Sequence, residues 1–157
     1  MTLSGSIAKH LREVFFGGNW TYVNLKDTLN NVDLKIATKK MEGFNSIAAL
    51  TFHIGYYITA VLKVLQGEKL NASDKYSFDV PPIRTEDEWR QFVTKIFEDA
   101  EAFANLVEQM PDEKILEDFP ENKYGSYYRN LSGIIEHTHY HLGQIVILKK
   151  IVTQEVK

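Results

Sequence analysis

The chain has 157 residues, 44% apolar and 25% charged, a length and balance that fit a single soluble globular domain over residues 1–157. The formal net charge of −3 leaves no basic face to displace counterions from phosphates, so no nucleic-acid partner is expected. Cysteine is absent, which excludes disulfides and thiolate ligands and leaves His, Asp and Glu to hold any metal; with no signal-peptide core in MTLSGSIAKHLREV, a cytoplasmic location is expected.

Leu3, Ile7, Leu11 and Val14 recur three or four apart and predict a first helix over 3–16, broken by Gly17-Gly18. Asn19 reads as the cap of a second piece, in which Trp20, Val23 and Leu25 lead on to Leu29 and Val32. ATKKMEGFN (37–45) reads as a connector. The next helix starts at Asn45 or Ser46, both good N-caps, and runs to about Gln66, where Gly67 supplies a stop. Its segment 47–65, IAALTFHIGYYITAVLKVL, approaches a membrane span in length. It also holds His53, Lys63, two threonines and two tyrosines and has no companion, so it reads as the central helix of a bundle and no membrane partner is expected. Its surplus apolar surface hints at burial between subunits.

Residues 68–84 (EKLNASDKYSFDVPPIR) are polar and carry Pro81-Pro82, an irregular stretch long enough to be either a crossover between helices or the cover of a site. Thr85-x-x-Glu88 is a capping box, with Glu86 and Asp87 complementing the helix dipole. The helix it opens carries Trp89, Phe92, Val93, Ile96, Ala100 and Phe103 at a period near 3.6 and ends by Pro111. Residues 112–125 are polar, with Leu116 and Phe119 as anchors. The last helix runs from near Ser126 to about Val152, with Lys149 and Lys150 suiting its C-terminal dipole. No strand alternation and no repeat appear. The expected fold is an all-α four-helix bundle, and the long irregular crossover between its second and third helices argues against a simple up-down-up-down order.

Three of the five histidines fall in GIIEHTHYHLGQI (133–145). On a helix, His137 and His141 point within about 40° of each other with Cβ atoms about 6 Å apart, so two imidazoles can meet on one ion. Gln144 shares that side and is placed to orient a ligand histidine or to bond substrate. His139 points away, and His10 reads as a surface residue. The pair borders the apolar stripe of Ile134, Ile145 and Leu148, and the alternative to metal binding is a pair of hydrogen-bonded core histidines. His53 adds a third ring on the core face of the most apolar helix. One inward His and an inward HxxxH pair suit a three-histidine site with an open position, for zinc, nickel, cobalt or iron. Glu136-x-x-His139 has the form of a di-iron unit, but no second copy exists, and Glu136 is read as pointing away from the pair. Tyr56, Tyr57, Trp20 and Tyr140 are candidates for pocket lining.

The inward histidine of TFHIGYY, followed by HxxxHxGQ through His137, His141, Gly143 and Gln144, resembles the DinB-like (DinB/YfiT-like) superfamily, with FFGGNWT and SFDVPPIRTEDEW similar to one bacterial branch. The resemblance spans nearly the whole chain. It implies an up-down-down-up four-helix bundle, commonly a homodimer, holding a divalent metal on His53, His137 and His141. Zinc or nickel is the expected ion, with iron, cobalt and manganese as alternatives. It further implies a metal-dependent enzyme that activates water or a thiol, of hydrolase or thiol S-transferase type, acting on a small molecule, with a low-molecular-weight thiol as the co-substrate of the transferase type. The alternative is a non-catalytic metal-binding or dimerising bundle.

Overall fold

The computed structural model describes residues 2–120 and 122–155. Among them lie seven α-helices, two 3-10 turns and no strand beyond isolated bridges. The helices are α1 (Leu3–Phe16), α2 (Leu25–Leu29), α3 (Leu34–Thr38), α4 (Ile47–Leu65), α5 (Glu86–Glu108), α6 (Asp112–Leu116) and α7 (Tyr127–Glu155).

Helix starts follow from side chains that satisfy otherwise orphaned N–H groups. Thr2, Asn24, Asp33 and Ser46 each accept a backbone N–H in the first turn of the helix they precede. At Thr85 both halves of the capping box form. The first turn of α1 gains a distant partner, because the Asp112 carboxylate accepts from Leu3 N at 3.0 Å and Ser4 N at 2.9 Å. These bonds hold the Asp112 carboxyl below its ordinary range. Helix α4 ends where Gly67 turns the chain at φ +92°, a conformation costly for any residue with a Cβ.

Several expectations are corrected. Asn19 does not cap a helix; Asn24 does. The buried Asn19 amide instead donates to the carbonyls of Glu13 and Val23, both at 2.8 Å, and its oxygen accepts from Thr21, so it closes the loop between α1 and α2. That loop holds Trp20 out in solvent, 96% exposed. The expected connector over 37–45 begins inside α3, whose Ala37 is buried. After α5 the chain forms α6, and the buried anchor there is Ile115; Leu116 is 67% exposed, while Phe119 is buried as expected.

The long helices pack in a cycle: α1 against α5, α5 against α4, α4 against α7 and α7 against α1. Phe15, Ile54, Trp89, Phe103, Leu131 and Ile145 are fully buried between them. The Trp89 indole N–H, deep in this core, donates to the Val32 carbonyl at 2.7 Å and so ties α5 to the segment after α2. Among the described residues, helix α4 alone has the length and apolarity of a membrane span, yet 67% of that window is buried inside the fold, and Lys63 is its one exposed residue. The apolar surplus read from its sequence is thus covered largely by the chain itself. Helices α4 and α5 meet closely at Gly55, where a Cβ would stand 2.7 Å from Ile96 Cγ1.

Gly55→Ala is expected to lower stability by about 1–3 kcal/mol through overpacking. In urea unfolding, Ile96→Ala in the same chain should recover part of that loss, giving a non-additive double-mutant cycle.

Candidate metal centre

The three expected ligand residues converge. His53 on α4 and His137 and His141 on α7 present ring nitrogens that all lie within 4.8 Å of one another. Ring centroids are 4.8 Å apart for His53–His137, 4.6 Å for His53–His141 and 4.5 Å for His137–His141. His53 and His141 are buried and His137 is half-buried. His139 points to the other side, its ring 6.0 Å from that of His10 on α1.

The outer hydrogen bonds decide which nitrogens face the centre. The Ser77 carbonyl, 3.1 Å from His53 Nδ1, can only accept, so Nδ1 carries the proton and Nε2 keeps its lone pair. His141 Nδ1 lies 2.7 Å from Gln144 Oε1, and donation to that oxygen leaves His141 Nε2 as the lone-pair atom. Gln144 thus holds one of the two roles its position suggested. His137 Nε2 is buried and has no hydrogen-bond partner, an arrangement that suits a nitrogen whose lone pair is offered to a cation.

Electrostatics disfavour charge on two of the rings. Burial, then the neighbouring His141 and His53, push the His137 imidazole down to about 4 from 6.5. Burial lowers His53 as well, with His141 adding to the shift and the Ser77 bond opposing it. The donor set fits a divalent cation: three imidazoles and, among the described residues, no further His, Asp or Glu in the cluster. Two bonds of about 2.1 Å span at most about 4.2 Å, so small ring rotations bring the nitrogens onto one ion.

The cluster sits in the wall of a cavity of about 800 Å³. The other wall is the irregular connection between α4 and α5, which α4 holds at three successive points. Tyr56 Oη accepts from Ser73 N at 2.8 Å and donates to Ser73 O at 3.1 Å. Tyr57 Oη donates to the Asp74 carboxylate, and burial together with that bond raises the phenol to about 12. His53 bonds Ser77 and stacks on Phe78, ring centroids 3.9 Å apart and planes 9° from parallel. Of the four aromatic candidates, Tyr57 and Tyr140 line the cavity; Tyr56 clamps the connection from outside it, and Trp20 lies in solvent. Glu136 also lines the cavity, contrary to its reading as pointing away. It lies about 100° round the helix from His137, and its long side chain stands at the exposed rim. Asp74 belongs to the stretch 68–84, read from the sequence as either a crossover or the cover of a site, and five of its residues line the cavity; Arg129, two turns before the histidine pair, carries no sequence signal.

No family model, curated protein sequence or solved structure matches the chain.

Because the unfolded chain takes up protons on His137 near 6.5 and the folded one near 4, the contribution of this group to the stability of the metal-free protein is expected to be full above about pH 6.5, to be lost progressively toward pH 4, and to be absent below that. Thermal melts across this range should show the slope, and His137→Gln should flatten it.

Proposed function

We propose that the chain is a metal-dependent enzyme of the DinB-like superfamily, with His53, His137 and His141 holding one divalent cation, zinc or nickel foremost. The reaction class is hydrolysis or thiol S-transfer on a small molecule. The proposal includes the up-down-down-up four-helix bundle, in which α1, α4, α5 and α7 are the four members and residues 66–85 the crossover; the cycle of contacts among those helices supports it.

The observation that carries the metal reading is the partnerless, buried His137 Nε2 beside two imidazoles whose outer nitrogens are already committed to acceptors. When bound, a divalent cation supplies Lewis acidity toward water or a thiol at neutral pH. The chain's own residues prepare the place for it. Ser77 and Gln144 fix two tautomers and so aim two lone pairs inward. Burial keeps His137 unprotonated, so binding does not have to displace a proton from it near pH 7. Tyr57 stays a neutral phenol committed to Asp74, and its ring, 4.9 Å from that of His137, excludes water from one side of the cluster. The three-ligand set and the cavity that opens onto it favour catalysis over a purely structural ion, whose site would be closed by a fourth protein ligand.

Protein purified from metal-replete cells is expected to carry about one divalent ion per chain by elemental analysis, and His137→Ala to lose it. Gln144→Leu should retain the fold while weakening metal affinity by about 10–100-fold. Metal-free wild type, or full occupancy in the His137 variant, would overturn the assignment. A homodimer belongs to the same proposal; light scattering should return twice the chain mass, and a monomer at micromolar concentration would remove that part alone.

A further inference from the structure

Charge is sorted along the length of the metal cavity. Arg129, Gly133, His137 and His141 follow one another at four-residue steps along α7, and all four line the cavity, so they trace one slowly turning face. Eight residues separate Arg129 from His137, about 12 Å of helix axis. The arginine side chain leans further from the histidines, with its Cδ 3.0 Å from where a Cβ on Gly125 would stand. Between the two ends the wall is bare at Gly133, where a Cβ would meet nothing within 4 Å, and apolar at Ile134 and Phe119.

The two ends differ in sign. Lys123 stands in the turn before α7 and lines the same end as Arg129. The N-terminus of α7 adds its partial positive charge there. The cavity's carboxylates lie at the histidine end: Asp74 is bonded to Tyr57, and Glu136 immediately precedes His137. With a divalent cation on the imidazoles offsetting Asp74 and Glu136, direction is set by the group that seeks the metal, and an anionic group at the far end of the same ligand falls to Arg129. A guanidinium can grip a carboxylate through two parallel N–H···O bonds, which fixes direction as well as position.

We propose that the cavity is a bipolar slot for an elongated organic carboxylate, whose charged group is held at Arg129 and whose reacting group is delivered at least about 12 Å away at the three-histidine centre, with an apolar middle lying over Gly133. This substrate class rests on the metal-dependent reading above.

Zinc-loaded protein titrated calorimetrically with ω-carboxyalkyl hydroxamates of increasing chain length, and with the methyl esters of the same compounds, tests the slot. The hydroxamate seeks the zinc, and the far end reports on Arg129. The acids are expected to bind at least about 10-fold more tightly than their esters once the two ends can span at least about 12 Å, with no preference among short chains. Arg129→Ala should erase the acid's advantage and leave ester affinity unchanged, while Arg129→Lys should keep part of it. Arg129 is exposed, so both variants should fold, and an unchanged ester affinity confirms that they do. Equal affinity of acid and ester at every length, or an equal loss for both in Arg129→Ala, overturns the slot and leaves the metal centre standing. If neither series binds the zinc-loaded protein, the slot falls together with the accessible metal centre.

Discussion

Three imidazoles share one small volume in which charge is poorly accommodated, and the rest of the site is arranged around that constraint. A proton on any of them would meet two neighbours with ring centroids less than 5 Å away, in surroundings where charge is poorly solvated. Burial disfavours charge on His53 and His137. The acceptors Ser77 O and Gln144 Oε1 then decide which nitrogen of each neighbouring ring carries the hydrogen. Without those acceptors the rings could turn and bond one another, and His137 Nε2 would have no reason to stay partnerless.

The same constraint explains an ordered wall built from an irregular segment. Between α4 and α5 the chain forms one 3-10 turn, Asp74–Tyr76, and otherwise lacks repeating backbone bonds. A segment of this kind is held by side chains or not at all. His53, Tyr56 and Tyr57 project from adjacent positions of α4 and bond Ser77, Ser73 and Asp74 respectively. Each tyrosine has an apolar body for the helix surface and a polar tip for the loop.

Much of the centre was legible in the residues. The four-residue spacing of His137 and His141, the three further residues to Gln144 and the apolar neighbours of His53 are periodic signals, and helices keep periodic signals. What escaped was aperiodic. Helices α3 and α6 are five residues each, too short to show a period, so Ala37 reads as part of a connector and Leu116, not the buried Ile115, reads as the anchor. Asn19 and Asn24 are equally plausible caps by residue type; only the positive φ values of Gly17 and Gly18 show that the chain is still turning at Asn19. Glu136 was misjudged for a different reason. Helical angle locates a Cβ, while a glutamate's remaining atoms can reach round to a neighbouring face. Trp20 shows the converse error, since an aromatic near an apolar run need not be inside.

His53 is both a wall fastening and a candidate ligand, and it uses one nitrogen for each task. If residues 73–78 swing away from α4, Nδ1 loses its acceptor and the preference for hydrogen on that atom goes with it. The other tautomer, with its hydrogen turned toward the cluster, is then accessible, and it cannot donate a lone pair there. Opening the wall to admit a bulky molecule and loosening the grip on an ion are thus the same event seen from two sides of one ring, and a molecule that enters without disturbing Ser77 leaves the third ligand intact.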